Sequence, residues 1–214
     1  ELGYNQFPDS VDVQLRRAIE LGHDVQMHIH PHWFDTKIFT EEDGTSRYEF
    51  DLSKFLLGNW IPDGGVLLRR LCSDLFTRAK VYLEDLLNSI NHSYRCIAFR
   101  AGGYGLQPNC SEILNALMDT GILIDSSIVP GMISRASNVN SVNFSMVPRK
   151  GNYFISPTFE LEKDSPNGIF EIPVLALREG EASRLLALAL FFKITKYIVS
   201  KVQKPLQTND VQTR

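Results

Sequence analysis

Helical and strand-like patterns alternate three times between residues 9 and 125, and this order constrains the fold more than any other feature. Helices are predicted from residues 8–10 to Gly22, over about 66–89 and over about 111–120, because apolar residues recur there every three or four positions. Each is followed by a short apolar run, at 24–28, 96–99 and 122–125. Alternating helices and strands predict a parallel α/β sheet or barrel.

The pattern loosens after residue 125, where strands are predicted only at 153–155 and 169–174. No linker divides the chain. We therefore expect one domain over 1–214, with a core at about 9–180, a C-terminal helix at about 182–203 and a frayed polar tail at 205–214. The apolar stretch 185–192 is too short to cross a bilayer, and a helix packed on the domain is favoured over one lying on a membrane.

The composition is that of a chain with a buried core, since 43% of its 214 residues are hydrophobic and 22% are charged. Lysine and arginine are scattered and the net charge is only -3, which argues against nucleic acid as a partner. The three cysteines, Cys72, Cys96 and Cys110, lack metal or redox spacing and are expected to be reduced and buried.

Polar residues follow each of the three predicted strands. A histidine cluster follows the first, an Arg-Ala-Gly-Gly-Tyr turn begins at Arg100 after the second, and Asp125 ends the third. The carboxyl ends of parallel strands converge on one rim, where ligands bind in α/β folds. We therefore expect these residues to lie close together.

Three histidines within five residues, His28, His30 and His32, predict a metal site. Imidazole is a good ligand for zinc and related ions, and Pro31 bends the chain so that the first and last rings can approach one ion. A cluster that makes only supporting hydrogen bonds is the main alternative. Amidohydrolase barrels also begin with His-x-His, but they need more histidines than the single later one, His92.

Residues 22–32, which read GHDVQMHIHPH, resemble the second motif of the polysaccharide deacetylases, the NodB-homology domains of family 4 carbohydrate esterases. The resemblance implies that His28 and His32 bind the metal, that His30 supports them or faces substrate, and that His23 is structural. It also covers FRAGGYG at 99–105 and DSS at 125–127.

By the same resemblance, Arg100 and Asp125 belong to the catalytic set, the first orienting an acid and the second tuning a histidine. Tyr104 and Trp33 would contact substrate, although aromatic residues of the long loop, Trp33 included, could equally pack that loop down. An upstream pair of aspartates and a late histidine, which the family motifs include, are not in the sequence, since Asp9 is expected to cap a helix. We expect truncation rather than loss of the motifs.

The resemblance implies a distorted (β/α) barrel of the glycoside hydrolase and deacetylase type, incomplete at its N-terminus. It implies metal-dependent removal of acetyl groups from a polysaccharide or cell-surface glycan, with zinc the expected metal and cobalt, nickel or manganese as alternatives. Such an enzyme would act in the bacterial cytoplasm or cell envelope. Two alternatives remain: a catalytically incomplete glycan-binding domain, and a metal hydrolase of another amide or ester.

Overall fold

A computed structural model describes residues 6–135, 141–147, 151–156 and 168–176, together with 188–189 and 192–193. The chain divides into two compact units, residues 1–175 and 176–214. In the second unit, residues 188–189 and 192–193 are helical. The rest of the predicted C-terminal helix, and the tail from 205, lie outside the described residues.

The first unit is built on a five-stranded sheet with helices, and this confirms the predicted α/β class. Four strands run parallel, and the fifth pairs antiparallel at one edge. Among the described strands, no pairing joins the two edges of this sheet. In spatial order they are β1 Met27–Ile29, β4 Ala98–Ala101, β5 Ile124–Asp125, β9 Ile169–Glu171 and β8 Tyr153–Ile155.

The register of β1 against β4 places His28 opposite Arg100. Gln26 extends this pairing beyond the amino end of β1. Its side-chain Oε1 accepts hydrogen bonds from the backbone N–H groups of Ile97 at 2.9 Å and Ala98 at 2.8 Å. The amide therefore satisfies two backbone donors at the start of β4.

In the described part of the first unit, three helices accompany the sheet: α1 Gln6–Glu20, α2 Gly65–Leu87 and α3 Cys110–Asp119. The predicted capping role of Asp9 is wrong, because α1 begins earlier and Asp9 lies inside its first turn. There its negative charge interacts favourably with the positive end of the helix dipole. Gly22 ends the helical segment as predicted, with a φ of +82° that a side chain rarely allows.

The apolar spacing of α2 predicts a buried stripe from Leu67 through Leu75 to Leu86, and the structure buries Leu75 and Leu86 together with a neighbouring line. Leu67, at the start of the predicted stripe, is 54% exposed, whereas the neighbouring Leu68 is fully buried. The buried line continues through Cys72 and Phe76. Phe76 contacts Phe99 of β4, with ring centroids 5.0 Å apart, so α2 covers that face of the sheet.

The segment predicted as one loop at about 29–65 contains regular structure. Strands β2 Lys37–Thr40 and β3 Ser46–Glu49 form an antiparallel hairpin, and short 3-10 turns follow it. Its residues are mostly exposed, so no apolar pattern marked the strands. The Asp43-Gly44 pair in the turn is a hairpin signal, with Gly44 at φ +80°. A second hairpin joins β6 Ile133–Arg135 to β7 Ser141–Asn143.

The cysteine prediction is confirmed, since Cys72, Cys96 and Cys110 are free and buried. Burial raises the pKa of each thiol, to about 12 for Cys72 and Cys110 and to about 11 for Cys96. Among the helices that the structure describes, none has the length and apolar character needed to span a bilayer.

Candidate functional site

The two faces of the sheet differ in what they carry. Side chains alternate along a strand, so Phe99 and Arg100 point to opposite faces. Phe99 shares its face with its register partner Asp125, and α2 covers that face. Arg100 shares the other face with its partner His28, and both are exposed. We call this second surface the histidine face.

His28 is held in a defined orientation by the backbone of the neighbouring strand. Its Nδ1 lies 3.0 Å from the carbonyl oxygen of Arg100, an acceptor, so Nδ1 must carry the hydrogen. In a neutral ring with this tautomer, the other nitrogen, Nε2, carries a free lone pair. Metal-binding histidines are commonly fixed in this way, by a hydrogen bond from the ring nitrogen that does not touch the ion.

The three histidines of the cluster form a continuous row in which His30 is central. The ring centroids of His28 and His30 are 4.9 Å apart, and those of His30 and His32 are 5.5 Å apart. Both contacts are edge-on. The structure therefore brings His28 and His32 to opposite sides of His30, rather than against one another.

His30 and His32 each bury a ring nitrogen. The Nδ1 atoms of both are inaccessible to solvent and have no hydrogen-bond partner within the described part of the chain. Burial lowers the pKa of both rings, and the charges of His28 and His32 lower that of His30 further. Neutral imidazole is the form that binds metals, so the environment favours the coordinating state.

Aromatic side chains and a glycine enclose the buried end of this row. Phe55 lies 5.1 Å, centroid to centroid, from both His30 and His32. Gly102 makes room for His30, because a Cβ atom there would lie 2.4 Å from the ring nitrogen Nδ1. Trp33 contacts His32 at 5.0 Å, yet it is 53% exposed.

Arg100 donates hydrogen bonds to Ser126, the residue that follows β5, and its role in orienting an acid stays a prediction. Its Nε donates to the backbone oxygen of Ser126 at 3.0 Å, and a terminal nitrogen donates to the Ser126 hydroxyl at 3.1 Å. Gln26, His28, Arg100 and Ser126 line a groove of about 320 Å³ on the histidine face. The structure thus brings Arg100 beside His28, as expected for residues of one rim.

Tyr104 ends the 3-10 turn Gly102–Tyr104 that follows β4. Its φ of +62° is in the left-handed region, which residues with a side chain rarely occupy. Backbone outliers of this kind concentrate at functional sites. Its role as a substrate contact stays a prediction.

Asp125 lies on the helix-covered face and is fully buried. It accepts hydrogen bonds from the Ser127 hydroxyl at 2.5 Å and the Ser127 N–H at 3.3 Å. Its carboxyl group does not share a face with His28 and Arg100. The catalytic role that the resemblance implies for Asp125 stays a prediction, and this placement argues for a supporting rather than a reacting group.

Glu171 is the buried acid that sequence reasoning missed. It stands opposite Asp125 in the register of β9 against β5 and is also fully buried. A signal was present, since one glutamate interrupts the apolar run IFEIPV at 169–174. Charged residues are almost never fully buried without a partner, so a glutamate in such a strand predicts a buried polar contact.

The histidine row satisfies part of what a metal site requires. His28 offers an oriented Nε2, and two buried nitrogens beside it have no partner in the described residues. No group of three His, Cys, Asp or Glu side chains suited to a metal is present among those residues. No family model, curated protein or solved structure matches the chain. The chemistry of this face therefore rests on its own geometry.

Proposed function

We propose that the chain is a domain of a metal-dependent hydrolase that removes acetyl groups from a polysaccharide or cell-surface glycan. The observation that carries the proposal is the hydrogen bond from His28 Nδ1 to the Arg100 carbonyl, at the carboxyl end of a parallel strand. It directs a ring nitrogen with a free lone pair onto an exposed face, where two further histidines adjoin it.

His28 and His32 are the proposed ligands of a divalent metal, with zinc expected and cobalt, nickel or manganese as alternatives. A bound metal of this kind polarises an acyl carbonyl and makes a water acidic enough to react near neutral pH. In this arrangement the His30 ring lies between the two, so His28 and His32 can bind one ion only after that ring turns aside. Arg100 supplies a positive charge beside His28, where it can hold an anionic or carbonyl group of the substrate.

The proposed complete fold is a distorted (β/α) barrel of the deacetylase type. Its support is that α2 covers the face carrying Phe99, whereas His28 and Arg100 on the opposite face are exposed. In a barrel that opposite face would be the interior, and its carboxyl rim would carry the active site.

A glycan-binding domain without catalysis is the second candidate. It is favoured by Trp33, whose 53% exposed ring is held against His32 and Phe50 at centroid distances of 5.0 and 5.1 Å. A fixed, exposed aromatic ring presents an apolar face on which a sugar can stack. A metal hydrolase acting on another amide or ester is the third candidate.

Metal binding by the 214-residue chain tests the proposal first. Titration of the metal-free protein with Co²⁺, followed by visible absorption, should give one site per chain. His28→Ala should weaken binding at least about tenfold, whereas His23→Ala, which changes an exposed histidine outside the row, should not. Absence of binding, or equal affinity in His28→Ala, would overturn the metal assignment.

Acetate release then separates the candidates. The chain is incubated with zinc and acetylated chitin or xylan oligosaccharides, and free acetate is measured. Release that is lost in His28→Ala supports the deacetylase. Oligosaccharide binding without acetate release, and with no effect of zinc, supports the glycan-binding domain instead.

A further inference from the structure

Glu171 and Asp125 form a buried carboxyl pair behind the histidine face. They are register partners in β9 and β5, both side chains are fully buried, and the two carboxyl groups are within hydrogen-bonding reach of each other. Phe99 precedes Arg100 in β4 and is the register partner of Asp125 on its other side. The pair is thus one strand away from the residues of the proposed site.

The hydrogen bonds around the pair give the two acids different roles. Asp125 accepts two hydrogen bonds from Ser127, as a charged carboxylate does. Within the described residues Glu171 accepts one, on Oε1, from the N–H of Ile128 at 3.2 Å, and its Oε2 meets no donor there. A proton on Glu171 allows this carboxyl group to donate a hydrogen bond to Asp125. It also leaves the pair with a single negative charge, because two carboxylates this close cannot both be charged.

The pair is connected to the turn that faces the histidines. The Ser127 hydroxyl donates to Asp125 and accepts from the backbone N–H of Ala101 at 2.8 Å. Ala101 lies between Arg100, whose carbonyl orients His28, and Gly102, against which His30 packs. A continuous set of hydrogen bonds therefore runs from Glu171 to the backbone of the site.

Stability alone does not account for two buried acids at this position. Well-packed apolar residues in place of buried ionisable groups are often neutral or stabilising, since they avoid desolvation. Apolar side chains would not, however, accept the Ser127 hydroxyl and so would not fix the Ala101 N–H. The directional contacts are what the acids add.

We propose that Glu171 is a positioning residue that, through Asp125 and Ser127, holds the Arg100–Gly102 backbone in register with His28 and His30. The inference rests on the proposed metal function of the histidine face for its biological meaning. In this proposal Glu171 itself touches neither the ion nor the substrate.

The test compares two substitutions at the same site. Glu171→Gln keeps an acceptor for Ile128 and places an amide N–H against Asp125, so it reproduces the protonated acid. Glu171→Leu removes both contacts at similar volume. Ile113→Val, at a fully buried position of α3, is the control for loss of packing without loss of these contacts. Each variant is studied by amide hydrogen exchange at residues 99–104 and by Co²⁺ titration.

We expect Glu171→Gln to match wild type, and Glu171→Leu to speed exchange at Ala101 and weaken Co²⁺ binding, each about tenfold. Ile113→Val should change neither. If Glu171→Leu does not fold, Ser127→Ala interrupts the same path at its next step and should give the same two effects. A folded Glu171→Leu or Ser127→Ala with wild-type exchange at 99–104 would overturn the inference.

The two readouts separate this inference from the proposed function. If the wild-type chain binds no Co²⁺, the proposed metal function is overturned. The comparison of hydrogen exchange in the variants still decides whether Glu171 positions the turn. Faster exchange with unchanged Co²⁺ affinity would overturn the link from Glu171 to the histidines.

Discussion

Glu171→Gln should remove a pH dependence of stability that the wild-type protein owes to a buried proton. Burial and the neighbouring Asp125 charge raise the pKa of Glu171 to about 11, whereas a glutamate in the unfolded chain has a pKa of about 4.3. Between these values the folded state holds a proton that the unfolded state has lost. The stabilisation from neutral Glu171 is therefore complete below the unfolded pKa and is lost as pH rises towards the folded pKa.

The size of the effect follows from one proton. Stability changes by about 1.4 kcal/mol per pH unit for each proton bound on folding. Between pH 6 and pH 8, well inside the window, wild type should lose about 2.7 kcal/mol from this group. Glu171→Gln cannot titrate, so its stability relative to wild type should rise by that amount over the same range.

Urea unfolding at pH 6, 7 and 8, followed by tryptophan fluorescence, measures the difference. Ile155→Val is the control, because Ile155 is fully buried in β8 and its shortening should cost about 1 kcal/mol at every pH. A constant difference between wild type and Glu171→Gln from pH 6 to pH 8 would refute the assignment of the proton to Glu171.

Two further predictions concern packing. Gly102→Ala should displace His30, because the new Cβ would lie 2.4 Å from the Nδ1 atom of that ring. We expect the substitution to lower the free energy of unfolding by about 1–3 kcal/mol in urea unfolding and to weaken binding in a Co²⁺ titration. Gly151→Ala is the control, because a Cβ there has nothing within 4 Å, and it should change neither quantity. Phe76→Ala should cost about 3–5 kcal/mol in urea unfolding through lost contact with Phe99, and a cost below about 1 kcal/mol would contradict the assigned packing of α2.

Periodicity was enough to predict the three helices and the three sheet strands that alternate in the first 125 residues, because their apolar side chains are largely buried. It did not predict the hairpin of β2 and β3, whose side chains are mostly exposed and leave no such pattern. In α2 it predicted the buried Leu75 and Leu86 but placed the start of the buried line at Leu67 instead of Leu68. Leu67 and Leu68 are equally apolar, and only the partner surface around Phe99 decides between them.

The sequence predicted which residues lie at the rim of the sheet, but not which face of the sheet each side chain occupies. Strand ends placed His28 and Arg100 on one edge, and the register confirms that they are neighbours. Sequence could not assign Asp125 to the opposite face, because a shift of one residue in a short strand reverses every side chain. The partnership with Glu171 joins residues 46 positions apart in the chain, a contact that only the paired strands create.

The hydrogen bonds of the Gln26 side-chain amide depend on the alignment of β1 with β4. A slip of β1 by one residue along β4 would turn His28 towards α2 and Met27 away from it, while Arg100 and Phe99 of β4 would keep their faces. It would also separate Oε1 of Gln26 from the two backbone donors that it satisfies at Ile97 and Ala98. The alignment of the histidine face thus depends on a side chain at the amino end of β1, in the same groove as His28 and Arg100.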